Sequence, residues 1–206
     1  MIDPLLLLAF LPAALALNLT PGADMMFCLA QGARGGARPA LAASAGISAG
    51  CMVNVTLAGL GLGAAIAGAP WAFDAIRWGG VAYLLWLAWR TLRTPVGAAE
   101  RLPVRPARAF RDGLIVNLTN PKVILFILAF VPQFVDPARP VLPQFLVLGT
   151  VLALGGFVIN GAVGVFSGGL GRAFARSAAL ERGLRIASAS IFGALALKLA
   201  LEARRA

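Results

Sequence analysis

From Val141 to Leu170, and again from Ile47 to Trp71, the chain carries no charged side chain. About 20 apolar residues span the hydrocarbon core of a bilayer. No water is present there to satisfy a backbone amide or carbonyl, so such a segment must close its hydrogen bonds internally, as a helix does. The rest of the chain has the same character. Of its 206 residues, 60% are hydrophobic and 13% charged, where a soluble domain has roughly a quarter charged. Spans of roughly 19 to 28 residues, six in all, use most of the length and leave no room for a sizeable soluble domain. The fold class expected is an all-α membrane protein of six transmembrane helices.

The spans fall at about 5–32, 41–67, 72–92, 110–133, 142–169 and 184–202, with ends soft by several residues. The first is broken at Thr20-Pro21-Gly22 and the fourth at Asn120-Pro121, because proline removes a backbone donor and clashes with the preceding turn. A linker rich in Pro and Arg separates spans three and four, with Pro95, Pro103 and Pro106. The organisation expected is a first three-helix repeat over 1–94, a cytoplasmic linker over 95–109 and a second repeat over 110–206. The opening Met1-Ile2-Asp3-Pro4 lacks the positive start of a cleaved signal peptide, so the first helix is expected to be retained.

A net charge of +10 suggests nucleic acid in a soluble protein, but here it is explained by arginines in short loops. Twelve of the 18 Lys and Arg follow spans one, three and five, among them Arg34, Arg38, Arg105, Arg108, Arg111 and Arg182. Five lie on the opposite side: Arg77, Arg139, Lys198, Arg204 and Arg205. Basic loops stay cytoplasmic, which predicts both termini outside and the linker inside. These arginines are accounted for by orientation and anionic lipid, and no nucleic-acid partner is expected. Without histidine, a His-ligated metal or a Ser-His triad is excluded for this chain alone. Cys28 and Cys51 sit in apolar runs without a C-x-x-C spacing and are expected to be buried, inert thiols.

The two halves resemble each other. Asn18-Leu19-Thr20-Pro21-Gly22 is echoed 99 residues later by Asn117-Leu118-Thr119-Asn120-Pro121. Gly46, Gly50, Asn54 and Ala58 recur every four residues, as do Gly156, Asn160, Gly164 and Gly168; superposing Asn54 on Asn160 matches Gly50 with Gly156. Arg77 and Arg90 around Leu87-Ala88 match Arg185 and Lys198 around Leu195-Ala196. Three helices per half is an odd number, so the second half enters the membrane from the other side. That is the inverted-topology repeat of many secondary transporters.

The breaks carry the chemistry. Backbone groups freed at a break need partners from protein or water, and Asn18, Thr20, Asn117, Thr119 and Asn120 supply them. The half-helices starting near Gly22 and Pro121 point positive dipole ends inward, which suits an anionic group such as an amino-acid carboxylate near the midplane. Simple kinks with capping residues are the alternative. Asp24 is the acid in the interior of a predicted span, away from its ends, where a charge costs several kcal/mol unless paired or hydrated; it is a candidate for a substrate ammonium or a coupling cation. Lys122 is its basic counterpart, and a structural ion pair between the two is the competing reading. Asn54 and Asn160 lie on small-residue stripes that let helices approach closely, with cavity lining as the second role. Trp71, Trp78, Tyr83, Trp86 and Trp89 suit an interfacial belt. Gln133 and Gln144 are expected to be solvated, and Asp112 to open the fourth helix as an N-terminal charge.

Asn18-Leu19-Thr20-Pro21-Gly22-Ala23-Asp24, Gly46-Ile47-Ser48-Ala49-Gly50, Asn117-Leu118-Thr119-Asn120-Pro121-Lys122 and Phe130-Val131-Pro132-Gln133-Phe134 resemble the LysE/RhtB family of amino-acid exporters. Ala23 stands where that family usually has a second proline. The resemblance covers essentially the whole chain. It implies efflux of amino acids or close derivatives across the bacterial cytoplasmic membrane, driven by the proton or ion gradient rather than ATP; no Walker-type loop is present. The partners expected are an amino-acid substrate and the lipid bilayer, with a homodimer as a candidate assembly and no cofactor. An ion or divalent-metal exporter on the same scaffold is the alternative; such a site wants several carboxylates or thiolates, more than Asp24 with two separated cysteines. A membrane enzyme would need paired acids or a nucleophile with its base, and none is evident. The candidate substrate-binding residues are Asn18, Thr20, Pro21, Gly22, Asp24, Asn54, Asn117, Thr119, Asn120, Pro121, Lys122 and Asn160, with Asp24 also proposed for the coupling ion.

Overall fold

The computed structural model describes residues 4–68 and 105–168, with isolated positions between 78 and 89 and between 179 and 197. Among these residues all regular structure is helical. Helix α1 (Pro4–Leu19) and helix α2 (Ala23–Gly35) form a broken pair, bent by 53°. Helix α3 (Ala37–Gly68) is unbroken. Helix α4 (Pro106–Leu118) and helix α5 (Pro121–Ala129) form the second broken pair, which continues into a 3-10 turn at Val131–Phe134 and bends by 52°. Helix α6 (Val141–Val165) ends in a 3-10 turn at Phe166–Gly168. Helices α3 and α6 are long and apolar enough to cross a membrane, and each bent pair passes the same test if taken as one span, giving up to four.

Both breaks stand where proline predicts them. At the first, Pro21 and Gly22 separate α1 from α2, and no side chain caps α2 at Gly22. At the second, Pro121 takes the first helical position of α5, where its missing N–H costs nothing, and the Asn120 side chain caps the helix by accepting from Lys122 N at 3.0 Å. Between α2 and α3 the chain turns on Gly36, whose φ of +77° lies in the left-handed region that a Cβ disfavours.

Three expectations change. The fourth span begins at Pro106, inside the predicted linker, since proline at the first turn opens a helix readily. Asp112 is therefore in mid-helix, where it pairs with Arg108 at 3.5 Å and Arg111 at 3.2 Å. Gln144 is buried, not solvated: it accepts from Asp136 N at 2.9 Å and donates to the carbonyls of Asp136 and Pro140 at 2.9 and 3.1 Å, clamping the loop before α6. Gln133 is half-buried and bonds back to Ala129 O. Predicted spans three and six fall mostly outside the described residues, as do linker residues 95–104; the described positions within both spans are helical, and Trp78, Trp86 and Trp89 are exposed.

Close backbone approach organises the packing. Helix α3 lies most extensively against α4 and α6. A methyl group at Gly46 would collide with the Phe110 carbonyl, and one at Gly113 with the Ala43 carbonyl, so α3 and α4 meet backbone to backbone as small-residue stripes allow. Gly50 faces Asn117 of α4, while Gly156 of α6 faces Asn18 of α1. Phe10 of α1 is fully buried against Phe126, Phe130 and Phe134 at ring-centroid distances of 6.5, 6.4 and 5.2 Å. Leu5, Leu8, Leu57, Leu154 and Val158 are each more than 60% exposed, the outward face expected when the solvent is lipid.

Candidate functional site

The two breaks meet and exchange partners. Asp24, in the first turn of α2, is 7% exposed. One carboxylate oxygen accepts from Asn117 Nδ2 at 2.9 Å and the other from Asn120 Nδ2 at 3.0 Å. Both donors belong to the second break. In return Lys122, at the start of α5, donates from Nζ to the carbonyls of Leu17 at 3.1 Å and Thr20 at 3.0 Å, both at the first break. Asp24 thus takes its two hydrogen bonds from amides rather than from Lys122. Charged partners make these the stronger hydrogen bonds of a protein interior; those of Lys122 satisfy two backbone carbonyls at the first break, whereas those of Asp24 join side chains.

A small cavity lies at this crossing, with room for about a single water at roughly 20 Å3. Asn18, Thr20, Asp24, Asn117, Lys122 and Asn160 line it, together with Ser48, Cys51 and apolar walls from α1, α3, α5 and α6. Asn18 also donates to Leu152 O at 3.1 Å, fixing α1 against α6. Because Asn117 Nδ2 is committed to Asp24, its Oδ1 points elsewhere; this oxygen is buried and has no hydrogen-bond partner among the described residues, an acceptor of the kind that bound water or an ion satisfies.

The remaining predicted residues divide. Asn120 and Gly22 belong to the crossing: Asn120 through Asp24, and Gly22 because a Cβ there would lie 3.2 Å from Lys122 Nζ. Pro21 and Pro121 make the breaks; Pro21 is half-buried and Pro121 exposed. Thr119 is exposed and spends its hydroxyl on Ile115 O of its own helix at 2.9 Å, so it does not reach the cavity. Asn54 and Asn160, equivalent by sequence, part company. Asn160 lines the polar cavity, whereas Asn54 donates to Asn117 O at 3.3 Å and borders a larger, apolar cavity of about 380 Å3 between α3, α5 and α6. Ser48 is a polar lining residue that the sequence did not mark as a candidate. Its hydroxyl donates to Ala153 O at 2.9 Å, and the available signal was its place between Gly46 and Gly50 in an uncharged span. Cys28 and Cys51 are buried free thiols. Among the described residues no three of His, Cys, Asp and Glu come together as metal ligands would.

A family model described as LysE type translocator matches residues 15–203. An uncharacterized membrane protein of Vibrio cholerae serotype O1 is 37% identical over 158 residues, covering 75% of this chain and 77% of the relative. A homoserine/homoserine lactone efflux protein of Salmonella typhimurium is 36% identical over 149 residues, 68% of this chain and 70% of its own length. A leucine efflux protein of Enterobacter sp. is 32% identical over 164 residues, 77% of each. No solved structure matches the chain. The chain therefore belongs to the LysE type translocator family and is a multi-pass inner-membrane exporter of small molecules rather than an enzyme.

Proposed function

We propose that the substrate is an amino acid or a close derivative and that export is secondary active, by alternating access of two inverted three-helix halves coupled to the proton or ion gradient. The observation that carries this reading is the crossing itself: one carboxylate and one ammonium, each held by the opposite break, line a common cavity. A zwitterion brings the complementary pair of charges. Its ammonium meets Asp24 and the unwound carbonyls, and its carboxylate meets Lys122 and the amides of a half-helix start. The efflux proteins named above act on homoserine, homoserine lactone and leucine by their descriptions, which is compatible with this class.

Two reciprocal contacts support the paired halves. Gly50 packs on Asn117 and Gly156 on Asn18, and the sequence repeat pairs Gly50 with Gly156 and Asn117 with Asn18. The two halves are joined in the cytoplasm by the linker rich in Pro and Arg that precedes Pro106, with both termini outside. The described cavity admits only about one water, so this conformation is closed around the site and a substrate enters by separating the halves. Asp24 carries the coupling cation, a proton in the simplest case.

The test is efflux from proteoliposomes preloaded with a panel of labelled amino acids, comparing wild type with Asp24→Asn. Gradient-driven export of one substrate group, abolished in Asp24→Asn, is the expected result. Normal export by Asp24→Asn with unchanged pH dependence would remove Asp24 from coupling, and the absence of amino-acid movement in wild type would refute the substrate class.

A further inference from the structure

Lys122 is misplaced for its own helix. It stands in the first turn of α5, at the positive end of the helix dipole, where a cation is disfavoured. What favours it is the other half of the protein: Nζ donates to the carbonyls of Leu17 and Thr20, at the negative end of α1. Gly22 leaves space beside this group, since a Cβ there would come within 3.2 Å of Nζ. Close by, Asn117 lines the same cavity with a buried acceptor, Oδ1, that has no partner among the described residues, and with its amide on Asp24. Two carbonyls, a carboxylate and an orphan amide oxygen form an acceptor-rich setting, which is the setting for a cation.

We propose that the carbonyls of Leu17 and Thr20 are an ammonium subsite, that Lys122 is its tethered occupant when the carrier is empty, and that the substrate's ammonium takes its place during transport. This rests on the reading of the substrate as a zwitterion. Displacement leaves no charge unpaired: the substrate ammonium inherits the two carbonyls beside Asp24, and the freed Lys122 turns to the substrate carboxylate. It also makes room. The cavity holds about one water, and Lys122 is the long, flexible charged side chain in its lining. With its own cation in the subsite, the empty carrier presents the two halves with the same contacts as the loaded one and can close and return.

Return of the empty carrier is what net efflux requires and what exchange does not. Proteoliposomes holding wild type, Lys122→Ala or Lys122→Met are preloaded with the labelled amino acid that wild type exports. They are then diluted into buffer either lacking that amino acid or containing it unlabelled at saturation. Both variants are expected to exchange with a raised half-saturation concentration. Their ratio of net efflux to exchange should fall by about tenfold or more, the effect of losing at least one charge-assisted hydrogen bond from the empty state. Propylammonium added on both sides should restore net efflux in Lys122→Ala, where the side-chain volume is vacant, and not in Lys122→Met, where it is filled. A variant that keeps the wild-type ratio overturns the proposal. So does loss of both processes together in protein that elutes as a monodisperse species, or failure of propylammonium to distinguish the variants. Absence of any amino-acid movement by wild type is a different result, which refutes the exporter's substrate class and this proposal with it.

Discussion

Exchanging the side chains at positions 24 and 120 separates what Asp24 does for the fold from what it does for transport. Asn120 has two tasks: its Oδ1 caps α5 by accepting from Lys122 N, and its Nδ2 donates to Asp24 at 3.0 Å. Asn120→Ala removes both. A cap is worth about 1 kcal/mol and a hydrogen bond to a charged group about 1.5–3 kcal/mol, so the loss is roughly 2.5–4 kcal/mol. For a chain of this size that lowers the melting temperature in detergent by about 5–15 °C. Asn120→Asp keeps the cap but sets two carboxylates about 3 Å apart, a repulsion on the order of 5 kcal/mol at an effective dielectric constant of about 20.

Combining Asp24→Asn with Asn120→Asp reverses the pair. The amide now at 24 donates to the carboxylate at 120, still accepts from Asn117 Nδ2, and leaves the second carboxylate oxygen to cap α5. The double variant should recover most of the stability lost by Asn120→Asp, and differential scanning fluorimetry in detergent reads this as a coupling energy of several kcal/mol. Export in proteoliposomes should stay abolished, because the carboxylate has moved to the N-terminus of α5. A double variant as unstable as Asn120→Asp would show that the Asp24–Asn120 contact does not hold the breaks together. A stable double variant that exports normally would show that a carboxylate at 24 is not required.

Three further outcomes follow from the packing. Gly113→Ala places a methyl against the Ala43 carbonyl and should cost about 1–3 kcal/mol by forcing α3 from α4, measurable as a lowered melting temperature. Gln144→Leu leaves Asp136 N and the carbonyls of Asp136 and Pro140 without their clamp; a loss of about 1–3 kcal/mol with faster proteolysis at 136–140 is expected. Thr119→Ala removes a hydroxyl bonded only to its own helix on an exposed face, so stability should change by no more than about 0.5 kcal/mol and export should match wild type.

Much of this arrangement is legible in the sequence, for identifiable reasons. Long uncharged runs dictate helices, and Pro21 and Pro121 dictate the two breaks, because both constraints are local. Which residue meets which across the breaks is not local. Asp24 and Lys122 are charges of opposite sign set beside the two breaks, and pairing them directly is the economical reading from one dimension. In three dimensions each is nearer to the polar groups of the opposite break. Thr119 and Thr20 hold equivalent places in the repeated motif, yet Thr20 is buried and Thr119 exposed, since burial depends on what covers each helix. Gln144 reads as solvated beside a polar loop, but its side chain is buried beneath that loop, whose backbone it satisfies with its amide.

The crossed contacts also bear on leakage. Separating the breaks without a replacement ligand removes two amide donors from a buried carboxylate and two carbonyls from a half-buried ammonium. At roughly 1.5–3 kcal/mol for each hydrogen bond to a charged group, that cost is about 6–12 kcal/mol. Under the proposed alternating access, water entering from one side recovers part of it, and the other side stays shut while the first is hydrated. Simultaneous opening to both faces would have to hydrate Asp24 and Lys122 from a continuous column, with no bond of either half left in place. An exporter must avoid that state, and in the proposed cycle each charge, set on one break with its partners on the other, ties the closure of one break to the position of its counterpart.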